Sequence, residues 1–158
     1  ASLLSESHLP TAGGRYVLLA ELDGEAVVAT RAGSQFRLQA GWYAYVGSAC
    51  GPGGLRGRLG RHLRPQRRPH WHIDYLFQRA EVRAYLCTSQ ECTECQLAGL
   101  ISALPGSLPV EGFGCSDCRC RTHLFRLDSY RGVEHLGAEL SAVALRTSVP
   151  LRLTVLTS

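Results

Sequence analysis

The chain has 158 residues, of which 45% are hydrophobic and 19% charged, and its formal net charge is +4. This length and composition predict one soluble globular domain and argue against a disordered chain. No apolar run approaches the roughly eighteen residues that a membrane-spanning helix needs. The first ten residues lack the basic and apolar regions of a signal peptide. We therefore expect a cytoplasmic protein without membrane contact.

The first fifty residues predict three antiparallel strands. Residues 14–22 are apolar and rich in strand-forming side chains. Asp23-Gly24 is a hairpin turn signal, and a return strand is predicted behind it at 25–32. A third strand is predicted from 34 to 49.

A short helix is predicted at 55–64, directly after a glycine-rich loop. Leucines at intervals of four residues form one of its faces: Leu55, Leu59 and Leu63. Arg58 and His62 are also four residues apart, so they share a different face of the same helix.

Residues 70–77 alternate between polar and apolar side chains, which predicts a strand with His70, His72 and Asp74 on one side. Three such side chains are compatible with a metal site. They also suit a nucleic-acid groove or hydrogen bonds beneath a loop, and we favour these two interpretations.

The rest of the chain continues the alternation of helices and strands. In chain order we predict a strand at 82–88, a helix at 91–104, a strand at 123–127, a weak helix at 130–147 and a last strand at 149–158. The fold class is therefore α+β, with a small, mostly antiparallel sheet that has a three-stranded core and flanking helices. We predict an N-terminal tail at 1–13, a domain at 14–127 and a C-terminal extension at 128–158 that packs on the same domain.

All basic charges come from arginine, and six arginines lie between positions 56 and 68 with no carboxylate among them. They are Arg56, Arg58, Arg61, Arg64, Arg67 and Arg68. The planar guanidinium fork suits phosphate, so this cluster favours a nucleic-acid partner. A solvated basic face is the alternative.

Seven cysteines form an odd set, and without a secretion signal we expect no disulfide framework. Cys92-x-x-Cys95 and Cys115-x-x-Cys118 are separated by nineteen residues, which is close to the spacing of a zinc ribbon. Cys120 and His123 lie nearby and add two further potential ligands. The alternative is that these thiols are buried as small hydrophobic side chains.

The ordered motifs resemble the GIY-YIG nuclease superfamily, and within it the branch that is also found fused to endonuclease III in archaea. The matching blocks lie at residues 45–49, 53–62, 70–76, 94–98 and 112–125. The resemblance covers residues 14–127, with the first motif at 14–16 (GRY) and the second at 45–47 (YVG). The GWY at 41–43 is not the first motif, because Ala44 alone cannot hold the hairpin that separates the two motif strands.

The resemblance implies a role for each matched residue. Tyr16 would be the general base, with its pKa lowered by Arg58 and a metal, and Tyr45 would position the phosphate or the water. Arg58 would bind the phosphate, His62 would relay a proton, and Glu94 would bind catalytic Mg²⁺ or Mn²⁺.

The sequence also departs from the superfamily pattern. The loop after the second motif is longer, and Ser48 occupies a position that is usually lysine or small. Relatives often carry the glutamate where this chain has Leu97, and the terminal asparagine of the motif series is missing.

The implied function is a metal-dependent endonuclease acting on DNA, in repair or recombination. A further set of basic residues would contact the nucleic acid: Arg56, Arg61, Arg64, Arg67, Arg68, His70 and His72. One alternative is a non-catalytic nucleic-acid-binding module of the same fold, stabilised by zinc at Cys92, Cys95, Cys115 and Cys118. A scaffold that binds an acidic protein is another.

Overall fold

The computed structural model describes residues 11–29, 33, 35–63, 72–113 and 120–157. These residues form an α+β fold with a mostly antiparallel sheet and four helices. The strands are β1 (Gly14–Leu22), β2 (Ala26–Ala29), β3 (Gln35–Leu38), β4 (Gly41–Ala49), β5 (Glu81–Thr88), β6 (Ser107–Pro109), β7 (Leu124–Leu127) and β8 (Leu153–Thr157). The helices are α1 (Gly54–Leu63), α2 (His72–Leu76), α3 (Glu94–Ser102) and α4 (Val133–Thr147).

The main sheet has six strands in the order β6-β7-β4-β1-β5-β8, so the predicted three-stranded core was too small. The hairpin signal at Asp23-Gly24 also misled the strand pairing, because β2 pairs with β3 in a separate two-stranded sheet. β4 lies directly beside β1, and β5 lies on the other side of β1. Turn signals are local, whereas the pairing of β1 with β5 depends on contacts between distant segments.

Strand β1 is the central strand, and its side chains alternate between two cores. Tyr16 and Leu18 point to the face that is covered by Leu59 of α1 and by α2. Val17 and Leu19 point to the face that is covered by α3 and α4. Burial on both faces explains why this strand is an almost continuous apolar run.

Residues 72–76 are helical, so the predicted strand at 70–77 is wrong where the structure describes it. Ile73 and Leu76 are both buried, and their spacing of three is the spacing of a helix face. In so short a segment the alternating pattern and the helical pattern overlap.

The other helices and strands were predicted more closely. β1 has the predicted limits of 14 and 22, and β5, β7, α1 and α3 lie within a few residues of their predicted positions. The weak helical pattern at 130–147 corresponds to the fifteen-residue helix α4. In the part of the chain that the structure describes, every helix is too short or too polar to span a bilayer.

Candidate active site

The predicted site residues on the described segments gather near one end of the main sheet. β1 begins there and β4 ends there, and α1 follows β4 after a short glycine-rich turn. Gly54, the first residue of α1, has φ +58°, and a Cβ atom on it would lie 2.1 Å from the carbonyl oxygen of Thr11. Only glycine therefore lets α1 start so close to the segment before β1.

Tyr16 and His62 form a buried pair between β1 and α1. The hydroxyl oxygen of Tyr16 lies 2.9 Å from Nε2 of His62, and the ring centroids are 5.7 Å apart. Phe77 packs edge-on against the other side of the imidazole at 5.3 Å. Residues from distant parts of the sequence therefore enclose one phenol–imidazole hydrogen bond.

The glycine of the second motif makes room for the tyrosine of the first. Gly47 is the register partner of Tyr16, and a Cβ atom on Gly47 would lie 2.2 Å from Cζ of the Tyr16 ring. The ring of Tyr16 therefore lies across the backbone of β4. No side chain can be added at position 47 without moving Tyr16.

Tyr45 lies on the same face of β4, two residues before Gly47, and its register partner is Leu18. Its side chain is half-buried and packs edge-on against Phe113 at a centroid distance of 6.3 Å. The two motif tyrosines are thus on neighbouring antiparallel strands.

Burial keeps both tyrosines in their neutral form. It raises the pKa of Tyr16 well above its ordinary value, the Tyr45 phenol adds to this rise, and the Arg58 charge opposes it. Burial and then the Glu94 charge raise the pKa of Tyr45, again against Arg58. The predicted lowering of the Tyr16 pKa is therefore wrong for these protein groups, because desolvation outweighs the nearby guanidinium.

His62 is neutral at pH 7, since burial lowers its pKa to about 4. The Asp74 charge opposes this shift, while Arg58 and Arg61 reinforce it. Nδ1 of His62 has no hydrogen-bond partner among the residues that the structure describes. In the tautomer that carries its proton on Nδ1, the imidazole accepts the Tyr16 hydroxyl hydrogen at Nε2.

Arg58 is half-exposed, and its Nε donates a hydrogen bond to the carbonyl oxygen of Ser48 at 3.2 Å. Its positive charge lowers the pKa of Tyr16, Tyr45 and His62, so it is close enough to act on all three side chains.

The predicted phosphate-binding arginines have different environments. Arg56 is exposed on α1. Nη2 of Arg61 instead lies 2.6 Å from Oδ2 of Asp74, whose side chain is 1% exposed, so Arg61 has a structural ion pair. Asp74 therefore holds Arg61 through a buried carboxylate, a role that the alternating pattern of its segment did not reveal.

Some predicted contacts lie outside the described residues. They are Arg64, Arg67, Arg68 and His70, together with the side chain of His72.

Glu94 begins α3 directly after Thr93, whose side chain and backbone form a reciprocal capping box with Gln96. The body of α3 packs on the opposite face of the sheet from α1. Glu94 is nevertheless near enough for its charge to raise the pKa of both Tyr16 and Tyr45. Its Oε1 lies 3.0 Å from Nδ1 of His123.

His123 links Glu94 to the end of β4. Its side chain is 4% exposed, and its carbonyl oxygen accepts a hydrogen bond from the backbone N–H of Val46 at 2.9 Å. The sequence had marked His123 only as a neighbour of the cysteines. Its contact with Glu94 depends on two segments whose approach the sequence pattern does not encode.

A cluster of two cysteines and a histidine can hold a metal ion. The ligand atoms of Cys95, Cys120 and His123 all lie within 4.8 Å of one another. The two sulfur atoms are joined as a disulfide, with Cα atoms 6.1 Å apart, whereas Cys50, Cys87 and Cys92 are free thiols, so the described residues contain a single cysteine pair.

Of the four cysteines predicted to bind zinc, only Cys95 belongs to this cluster within the segments that the structure describes. Cys92 is fully buried, its thiol contacts the carbonyl oxygen of Thr93 at 3.6 Å, and it is not part of the metal-binding cluster found among the described residues. Cys115 and Cys118 lie outside the described residues.

The fold and site define an α+β domain in which two tyrosines of the six-stranded sheet lie close to histidine, arginine and carboxylate side chains of the flanking helices. The chain belongs to the family described as domain of unknown function DUF123, whose profile matches residues 15–144. No curated protein and no solved structure gives a significant match to the chain. The family match includes all the site residues discussed above on β1, β4, α1 and α3.

Proposed function

We propose that the chain is a divalent-metal-dependent endonuclease that hydrolyses phosphodiester bonds in DNA, of the GIY-YIG type that its motif series resembles. One observation carries this proposal. Tyr16 and Tyr45 lie on one face of two adjacent antiparallel strands, and the charges of Arg58 and Glu94 act on both of them. A base, a phosphate-binding cation and a metal-binding carboxylate are the groups that assisted phosphodiester hydrolysis requires.

Arg58 would hold the scissile phosphate. Its side chain is half-exposed, and its Nε donates a hydrogen bond to the carbonyl oxygen of Ser48, which fixes the guanidinium beside the end of β4. A guanidinium can form two parallel hydrogen bonds to phosphate oxygens, which fixes the phosphate and stabilises the charge that develops on it.

Tyr16 and His62 would move the proton as a pair. Because the pKa of Tyr16 is raised, a free tyrosinate is not the base. The Tyr16 oxygen would accept a proton from the attacking water while its own proton passes to Nε2 of the neutral His62. The relay leaves no negative charge on the buried phenol.

Glu94 fits a hard divalent cation, because carboxylate oxygens are the ligands that Mg²⁺ and Mn²⁺ prefer and its side chain is 32% exposed. A bound ion would neutralise charge on the phosphate and on the departing oxygen. Tyr45 would orient the phosphate or the water beside it, since its raised pKa keeps the hydroxyl as a hydrogen-bond donor.

A second candidate function is a non-catalytic DNA-binding module, stabilised by a metal at the cluster of Cys95, Cys120 and His123. The burial of Tyr16, which is 2% exposed, favours it because substrate atoms must reach the hydroxyl for catalysis.

The test is a cleavage assay on nicked, branched and flapped DNA with Mg²⁺ or Mn²⁺. We expect Arg58→Ala to lower kcat by about 10²–10³-fold. Arg146→Ala is the matched control, since Arg146 is an exposed arginine on α4. DNA binding by the natural chain without cleavage of any substrate would select the binding module. The absence of DNA binding would reject both functions and favour an acidic protein partner.

A further inference from the structure

The cluster of Cys95, Cys120 and His123 lies at the start of α3 and just before β7, and it includes a histidine that is 3% exposed. We propose that this cluster is a zinc site in the reduced protein and that Glu94 orients its histidine. The proposal goes beyond the nuclease function, because it concerns a second metal with different ligand chemistry.

The ligand set selects the class of metal. Two thiolates and one imidazole are soft to borderline ligands, which favour Zn²⁺ over the hard cations Mg²⁺ and Ca²⁺. Ligand atoms within 4.8 Å of one another are close enough to surround one ion. Three protein ligands leave the fourth tetrahedral position open to water.

Glu94 supplies the independent observation. Its Oε1 lies 3.0 Å from Nδ1 of His123, which is the distance of an ion pair and not yet a formed hydrogen bond. With its hydrogen on Nδ1 and a small rotation of the ring, His123 would donate to the carboxylate and leave Nε2 as the metal ligand. Metal-binding histidines usually carry such a carboxylate partner, which fixes the tautomer and the direction of the ring. The capping box of Thr93 and Gln96 holds the helix start that carries Glu94.

The ion can reach the cluster from solvent. Cys95 is exposed, and both cysteines line a surface groove of about 190 Å³ beside α3. Ser102, Pro109 and Phe125 form other parts of its wall.

The disulfide and the zinc site are alternative states of the same two sulfur atoms. In the structure the sulfurs are joined, so the S–S bond must first be reduced. A phosphine breaks this bond, and with one water molecule the products are two thiols and the phosphine oxide. Binding of Zn²⁺ to the resulting dithiol then releases the two thiol protons.

Glu94 also connects this site to the proposed catalytic site. One carboxylate oxygen would face His123 while the other remains for Mg²⁺ or Mn²⁺. The catalytic part of this connection rests on the proposed nuclease function, whereas zinc binding does not.

The experiment is a Co²⁺ titration of the full chain, reduced with a phosphine and free of DNA, followed by displacement with Zn²⁺. We expect one Co²⁺ per chain at this site, with a near-ultraviolet thiolate-to-cobalt band. The band should be lost in both Cys95→Ser and Cys120→Ser. Cys50→Ser is the matched control, because Cys50 is an exposed thiol outside the cluster, and it should keep the band.

Glu94→Gln tests the orienting role separately. The band should persist, but the affinity for Co²⁺ should fall by about 10–100-fold. An unchanged affinity for Co²⁺ would show that Glu94 does not orient His123. A missing band in the natural chain, or a band that persists in either Cys95→Ser or Cys120→Ser, would overturn the zinc site. Circular dichroism of each variant separates loss of ligands from loss of folding. None of these readouts uses cleavage, so a failed nuclease assay would leave them unaffected.

Discussion

The hydroxyl of Tyr16 and Nε2 of His62 lie 2.9 Å apart in a buried position, joining the central strand β1 to the helix that follows β4. We expect Tyr16→Phe to lower the free energy of unfolding by about 1–3 kcal/mol, because it leaves Nε2 of His62 buried without its partner. Denaturant unfolding of Tyr16→Phe, His62→Leu and the double variant measures the coupling of the pair. A coupling energy near zero would contradict the hydrogen bond.

The effect of Gly47→Ala on stability should depend on whether the Tyr16 ring is present. Gly47→Ala should destabilise the natural chain by about 1–3 kcal/mol, because the new Cβ atom would overlap the tyrosine ring. In a Tyr16→Ala background the same change should be neutral or stabilising, since the ring is absent and alanine suits a strand better than glycine. Thermal or denaturant unfolding of the four chains tests this reversal.

Gly99→Ala provides the control for the experiment at position 47. Gly99 is an exposed glycine of α3, and a Cβ atom on it would meet no atom within 4 Å. This variant should be more stable than the natural chain by about 0.5–1 kcal/mol. Equal effects at positions 47 and 99 would show that the Tyr16 ring does not restrict Gly47.

His62 should make stability depend on pH. Its folded pKa is lowered from 6.5 to about 4, so between these values the unfolded chain binds more protons than the folded one. The part of the unfolding free energy that depends on neutral His62 is fully present above about pH 6.5 and is lost as the pH falls towards 4. This loss is at most roughly 3 kcal/mol. Unfolding free energies from pH 4 to 7.5 should therefore rise less steeply in His62→Gln than in the natural chain. Parallel pH profiles would exclude a neutral buried His62.

Arg61, which forms an ion pair with Asp74, should contribute more to the free energy of unfolding than the exposed Arg56 of the same helix. Arg61→Ala removes a cation from a carboxylate that is almost fully buried, so we expect a loss of about 3 kcal/mol in unfolding free energy. Arg56→Ala, at an exposed position of the same helix, should change it by less than about 0.5 kcal/mol. Equal stability of the two variants would contradict the structural role of Arg61.

Arg56 should instead affect DNA binding, if the proposed function is right. The logarithm of the affinity for duplex DNA should fall linearly with the logarithm of the salt concentration, by about 0.9 per phosphate contacted. Arg56→Ala should reduce this slope by about one contact and leave the melting temperature unchanged. A salt-independent affinity would exclude phosphate contacts by the basic helix.

The sequence by itself determined the local elements and the identity of the reactive side chains. The apolar run of β1, the leucines of α1 and the capping signal before α3 depend on neighbours a few residues away, so their patterns are visible without the fold. The resemblance placed the two motifs on two separate strands, and these strands, β1 and β4, are neighbours in the sheet.

Only the tertiary structure decided the pairing of distant segments and the environment of each polar group. The insertion of β1 between β4 and β5, the contact of Glu94 with His123, and the ion pair of Arg61 with Asp74 join segments that no local pattern relates. The pKa of Tyr16 shows the consequence most clearly. Its neighbour Arg58 was predictable from the motif, but the burial that outweighs this charge comes from packing against α1, so the direction of the shift follows from the folded core.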